Sequence, residues 1–282
     1  MRRRAVNLIM TALCALGLVI ALVPLASVLW LVVSKGIRGL DLDFFTQLPT
    51  PVGELGGGVG NAILGSLYIV GIAAAIGVPL GVGAGVYLAE RGGGRLGEAI
   101  RFTAEVLSGV PSIIVGIVAY GLVVLPMRRF SAFAGGVGLA VLMVPTLARS
   151  TEELVRLVPR ALREAALALG ATRWEAIRIA VLPYARAGIM GATILGLGRA
   201  LGETMAVTML IGNSPTISAS LFSPGYSLPA VIANEFAEAS GSLHTGALAA
   251  LGLILFAVTL LLNIAARLLV RVSRRGPARV AA

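Results

Sequence analysis

Six stretches of this chain are apolar for long enough to cross a lipid bilayer, and that recurrence constrains the fold more than any other feature of its 282 residues. A helix needs about 20 residues to span about 30 Å of hydrocarbon. Runs of that order lie near Leu8 to Val33, Ile63 to Leu88, Leu107 to Met127, Phe130 to Leu147, Ala187 to Ile211 and Thr245 to Val270. Hydrocarbon offers no partner for a free N–H or C=O, so such runs must close their hydrogen bonds internally, as helices do. The sequence therefore predicts an all-α polytopic integral membrane protein with six transmembrane helices. Only Arg128 and Arg129 separate the third and fourth runs, and Gly135, Gly136 and Gly138 weaken the start of the fourth. The 36 glycines suit helices that approach one another closely, with Gly77, Gly81 and Gly85 at four-residue spacing reading as a packing face. Pro111 and Pro145 are expected to kink or break their helices.

The formal charge of +10 would suggest nucleic acid in a soluble protein, so its distribution decides its meaning. Of the 23 basic residues, 18 fall in the N-terminus, the second loop, the fourth loop and the C-terminal tail, while Lys35, Arg38, Arg128 and Arg129 fall on the opposite side and Arg199 lies inside a span. This is the positive-inside pattern of a membrane protein with both termini in the cytoplasm, and it replaces a nucleic-acid reading. It sets a cytoplasmic tail at 1–7, a transmembrane domain at 8–270 with a cytoplasmic loop at 150–186, and a second tail at 271–282. The first apolar run exceeds the about 7–15 residues of a signal-peptide core, so it reads as a retained helix. One cysteine, Cys14, and one histidine, His244, exclude a disulfide framework and a multi-histidine or cysteine metal site. Cys14 reads as a small apolar filler and His244 as a solvated residue at a span end.

Ser150 to Arg186 is too polar to span and too regular for a tether. Pro159 can open a short helix, the Ala- and Leu-rich stretch after it propagates one, and Gly170 supplies the left-handed residue that ends it. Thr172 with Glu175 three residues on is a capping-box pattern, and Pro183 is expected to stop the second helix. The pattern alone fits either a docking element or an amphipathic hairpin lying on the membrane surface.

Arg199 and Glu203 are the conspicuous charges within a span, where an ionised side chain costs about 2.5–3.5 kcal/mol on insertion scales. At i, i+4 on a continuous helix they could pair with each other, while Gly198 and Gly202 would admit a neighbouring helix. The pair is either a self-neutralising salt bridge or an anion-handling site, in which Arg199 offers guanidinium donors and Glu203 prevents overly tight binding. Outside the spans, Ser227 to His244, with Asn234, Glu235, Phe236 and Glu238, reads as either an outer cap or a plain surface helix. No P-loop is possible, because the only lysine, Lys35, sits between Ser34 and Gly36, and no H-E-x-x-H or C-x-x-C occurs. The chain is not itself an ATPase.

Glu164-Ala165-Ala166, then Gly170, then Leu182-Pro183 resemble the EAA loop of ABC importer permeases, with Ala180 where that family has Ile. Three further stretches resemble the phosphate-specific (Pst) branch of these permeases: Pro51 to Gly58 with Asn61 and Ala62, Ser108 to Ile113 with Gly116, and Gly198 to Val207. The N-terminal half is similar to the PstA type and Gly202 to Val207 to the PstC type. The resemblance implies an ABC importer permease fold with a cytoplasmic coupling helix, working by alternating access in the bacterial cytoplasmic membrane. It implies that Glu164, Ala165, Ala166, Gly170, Leu182 and Pro183 couple to the ATPase, and that Arg199 and Glu203 line the substrate path. The implied partners are two nucleotide-binding ATPase subunits, a second permease subunit and an external phosphate-binding protein. No cofactor is expected on this chain, ATP being used by the partner. Molybdate or sulfate is the alternative cargo, and a passive anion channel the alternative class, against which the ATPase-facing loop argues.

Overall fold

A computed structural model describes residues 2–51, 54, 56–239 and 241–274, and it is helical wherever it is regular. Among the described residues five helices are long and apolar enough to cross a membrane, and the bent pair Arg95–Gly109 with Ser112–Met127 makes six when it is counted as one span. In chain order the elements are α1 (Arg2–Gly36), α2 (Leu42–Thr46), α3 (Gly60–Arg91), α4 (Arg95–Gly109), α5 (Ser112–Met127), α6 (Ala132–Arg156), α7 (Arg160–Ala168), α8 (Arg173–Leu201), α9 (Met205–Ile211), α10 (Leu228–Glu235) and α11 (Gly241–Arg274). Helix therefore runs through residues 2–7, which the sequence set aside as a tail, and through 271–274; the remainder of the expected C-terminal tail lies outside the described residues.

The centre of the subunit is the α3–α6 pair, built where side chains are absent. A Cβ on Gly81 would lie 2.6 Å from Leu147 Cβ, and one on Gly85 would lie 2.5 Å from both the Ala148 carbonyl oxygen and Thr151 Cβ. The four-residue glycine spacing is thus a packing face, as expected. Lipid is as apolar as leucine, so membrane helices gain from close approach of small residues rather than from escaping water. Around this pair, Ile69, Ala73, Leu139, Met143 and Leu147 bury against Ala200, Val207 and Ile211 of the fifth span. By contrast, α1 buries almost nothing, with Leu8 at 72% and Trp30 at 74% exposure, a surface tenable only in hydrocarbon. Cys14 lies on that open face and fills no gap.

Two spans depart from the expected outline. The third does not run straight from Leu107, because Val110 is extended ahead of Pro111 and the chain turns by 108° between α4 and α5. A residue before proline is pushed out of the helical region, and Pro111 also brings no N–H. The fifth expected span, Ala187 to Ile211, begins earlier and is broken. It runs from Arg173 to Leu201, stops, and resumes at Met205. The separation of the third and fourth spans holds: Arg128 adopts a left-handed φ of 52°, and Ser131 then caps α6 through the Ala134 N–H.

Candidate functional site

The polar loop between α6 and the fifth span follows the local rules of its sequence up to Pro183. Helix α6 runs on to Arg156, so the loop proper starts at Leu157 rather than at Ser150. Pro159 stands one residue outside α7, with Arg160 in the first helical position. Gly170 ends the turn at φ 89°, a conformation glycine enters without steric cost. Thr172 and Glu175 form the reciprocal capping box: Thr172 N–H donates to Glu175 Oε2 at 2.7 Å, and Glu175 N–H donates to Thr172 Oγ1 at 3.3 Å. The bond from the Thr172 backbone, then that of its side chain, holds the Glu175 carboxyl below the ordinary glutamate range.

Pro183 does not stop the second helix. Ahead of it, Ile177–Val181 form a π-turn, and the Leu182 N–H reaches back five residues to the Ile177 carbonyl. Proline lacks an N–H and its ring crowds the carbonyl four residues back, so widening the preceding turn removes the conflict without ending the helix. The same device recurs at Tyr120–Val124, where Leu125 N–H bonds the Tyr120 carbonyl ahead of Pro126. Leu182 packs inward beside Val155, Val158, Val181, Ala185 and Ile189. The six coupling candidates therefore divide: Glu164 and Ala165 are exposed, Ala166 is buried, Gly170 makes the turn, and Leu182 and Pro183 form the joint with the membrane helix. The exposed surface of the loop also carries Leu169, at 90% exposure, and Trp174.

Sequence reasoning missed the groups that fix this loop in place. Arg163 donates from Nε (3.0 Å) and Nη2 (2.8 Å) to Glu90 Oε1 at the end of α3, and to the carbonyls of Val158 (2.6 Å) and Val155 (2.8 Å) at the end of α6. A second carboxylate, Glu152, accepts from Arg101 at 2.8 Å and Arg156 at 2.6 Å, while Arg101 also bonds the Gly92 and Leu88 carbonyls that end α3. These arginines satisfy the free carbonyls left at helix C-termini and complement the negative end of the helix dipole. In the sequence they registered only as inward-facing positive charge. No local signal marks the Arg101–Glu152 and Arg163–Glu90 pairs, whose members lie 51 and 73 residues apart.

Arg199 and Glu203 do not share a helix face. Gly202 N–H bonds Arg199 O at 3.1 Å and Glu203 N–H bonds Ala200 O at 3.2 Å, closing α8 with tight i−3 turns before Thr204 and the new helix. No ion pair joins the two side chains; Arg199 is exposed and Glu203 half-buried. The expected i, i+4 pairing fails because the backbone leaves the helix between them. Gly202 acts as a helix terminator rather than a contact, and Gly198 meets Asn263 at an ordinary 3.8 Å. Interrupted backbone within a membrane span is tolerated where protein or water satisfies it. Here α9 is buried through Ala206, Val207, Leu210 and Ile211, and Ala206 Cα would lie 3.0 Å from a Cβ on Gly116. That contact joins two of the stretches that carried the resemblance. In the first of them, Val52, Gly53 and Leu55 lie outside the described residues, while Asn61 donates to the Ser214 carbonyl at 3.4 Å.

At the opposite end of the spans from the loop around α7, the Ser227–His244 segment is more than a surface helix. Leu228, Pro229, Ala230 and Val231 of α10 are buried, and Ser66 Oγ of α3 accepts the Leu228 N–H at 2.9 Å. His244 is largely buried against Glu235 Oε2 at 3.3 Å, not solvated as its place at a span end suggested.

Residues 77–275 match the family described as "Binding-protein-dependent transport system inner membrane component". The chain is 43% identical over 242 residues to the phosphate transport system permease protein PstC of Mesorhizobium japonicum, covering 76% of this chain and 73% of that one. It is 39% identical to PstA of Yersinia pestis, covering 95% and 90%, and 37% identical to PstA 1 of Mycobacterium tuberculosis, covering 98% and 92%. Its fold is similar to the MetNI methionine ABC transporter in an inward-facing form, with a TM-score of 0.62 at 20% identity over 76% of this chain and 95% of that one. An all-helical set of apolar spans, a polar capped loop clamped to their ends and a family match across most of the length converge on one conclusion: the chain belongs to the binding-protein-dependent transport system inner membrane components, a multi-pass permease family.

Proposed function

We propose that this chain is a permease subunit of an ATP-driven phosphate importer, working by alternating access, with the loop around α7 as its contact to a nucleotide-binding subunit. The observation that carries the reading is the construction of that loop. Two capped helices turn on Gly170, are bonded to the ends of α3 and α6, and present Glu164, Leu169 and Trp174 outward. A part that receives force needs fixed geometry on one side and an open contact surface on the other. An amphipathic hairpin resting on lipid would not require the clamp to α3 and α6.

Phosphate is the proposed cargo because relatives that cover nearly the whole chain bear that name. Arg199, exposed from this subunit beside the break at Gly202 to Thr204, supports a path shared with a second permease subunit. There a guanidinium can replace part of the anion's hydration, and Glu203 nearby weakens the site enough for release. Two ATPase subunits and an external binding protein complete the assembly, with both termini of this chain cytoplasmic. Orientation is testable after Cys14 is replaced. Cysteines at Gly93 and Ala171 should be shielded from impermeant thiol reagents in intact cells and one at Ser220 should react; labelling of Ala171 from outside inverts the arrangement. The function itself is tested by uptake of labelled phosphate into vesicles holding the co-purified complex. Uptake should require ATP and resist excess molybdate and sulfate, whereas ATP-independent flux would indicate a channel and competition by molybdate or sulfate another oxyanion.

A further inference from the structure

We infer that Arg163 and Glu90 are a positioning pair that converts movement of the coupling loop into movement of the α3–α6 core, and through it of the break in the fifth span. The inference rests on the loop being the ATPase contact. Without such a pair, the link between α6 and α7 would be Leu157 to Pro159, three residues that could absorb a push by changing backbone angles.

Arg163 removes that slack. One side chain, 21% exposed, bonds three places: the Glu90 carboxylate near the end of α3 and the Val155 and Val158 carbonyls where α6 ends. The planar guanidinium makes this possible, because its donors point in fixed and divergent directions; an ammonium is a single point. Glu90 is itself only 16% exposed, so the pair is shielded from water and stronger than a surface ion pair. From there the contact route is continuous. Leu154, Val155 and Val158 pack with Val82, Val86 and Ala89 of α3. Higher in the membrane, Leu139, Met143 and Leu147 of α6 and Ile69 and Ala73 of α3 hold Ala200 and Val207, which lie on either side of the break. A packed core with glycine contacts transmits displacement because it has little room to deform.

The test uses the complete complex in proteoliposomes, with phosphate taken up and ATP hydrolysed measured together for Arg163→Gln, Glu90→Gln, the double variant and Arg163→Lys. Co-purification of the partners reports assembly. Each single variant should assemble and raise the ATP spent per phosphate by about three- to tenfold, and the double should be no worse than Arg163→Gln, since that change already removes the contact to Glu90. Arg163→Lys should also raise the ratio, as it keeps the charge but cannot reach all three places. A merely structural role would lower the amount of complex and leave the ratio unchanged, and that result overturns the inference. So do effects that multiply in the double variant. Gly170→Val and Glu164→Lys in the same assay separate the two claims. If they change the ratio while the Arg163 series does not, the clamp assignment falls and the coupling loop stands. If neither series changes it, the loop reading falls and takes the clamp with it.

Discussion

The loop around α7 and the break in the fifth span both interrupt the run of membrane helices, and they do so by opposite means. The loop is held by directed bonds: a capping box, a left-handed glycine and an arginine that bonds α3, α6 and the linker after α6. The break at Gly202 to Thr204 has two i−3 backbone bonds and one bond from the Thr204 hydroxyl to the Gly202 carbonyl at 3.3 Å, all within the break itself, and it meets α3 and α6 through the packing of Ala200, Val207 and Ile211. Directed bonds resist bending, whereas helix segments that meet by packing on either side of an interrupted backbone can shift as rigid bodies between discrete arrangements. A rigid input and a break that can shift suit the proposed role, in which the loop is driven by a partner and the subunit changes shape within the membrane.

That contrast fails most completely if the core joining the two regions is lost. Gly85→Leu would force a side chain against the Ala148 carbonyl and Thr151, at a cost of about 3 kcal/mol or more. The folded fraction and thermal transition in detergent should drop sharply, while Gly83→Leu, where a Cβ meets nothing within 4 Å, should behave as wild type. Equal tolerance at both positions would contradict the packing face.

At the break, Arg199→Leu combined with Glu203→Leu should leave the complex assembled yet reduce phosphate uptake about tenfold or more, the scale of one charge-assisted hydrogen-bonded contact. Because the two side chains do not pair, removing both should not restore what removing Arg199 takes away. Arg199→Lys should recover only part of the uptake, since bidentate geometry is lost. Near-normal uptake by the double variant would leave this region with structure but no role in transport.

The smallest effect belongs to the loop's own capping. Thr172→Ala should cost about 0.5–1 kcal/mol locally and speed amide exchange at the start of α8, with uptake reduced only slightly. The lowered Glu175 carboxyl adds a direction for pH. A depressed acid contributes stability above its unfolded value and loses it as pH falls through the folded one, so the cap should hold at neutrality and fray only on acidification below the ordinary glutamate range.

How much of this was legible follows from the distance over which each feature is decided. Gly170, Thr172 with Glu175, and the glycine face of α3 obey rules that span a few residues, and each stands where the sequence placed it. Pro183 did not end its helix, because a π-turn in front of it absorbed the conflict, an outcome set by the helix on either side. The break after Leu201 has no proline, and its apolar neighbours read as a continuous span; it exists because α9 finds its partners on α5 and α6. Arg163 and Glu90 are 73 residues apart, so nothing in either neighbourhood announces the other.

The central claim is that the loop carries the work of ATP hydrolysis into the permease, and Gly170→Val tests it most directly. At φ 89° a β-branched residue is strained whatever space surrounds it, and a Cβ there meets nothing within 4 Å, so the change acts on the turn rather than on packing. In the reconstituted complex, phosphate uptake and binding-protein-stimulated ATP hydrolysis should be measured on the same vesicles, with insertion confirmed by the amount of assembled subunit. The account predicts normal insertion with uptake lost relative to hydrolysis. Wild-type uptake and wild-type stimulated hydrolysis in a normally assembled Gly170→Val complex would contradict it.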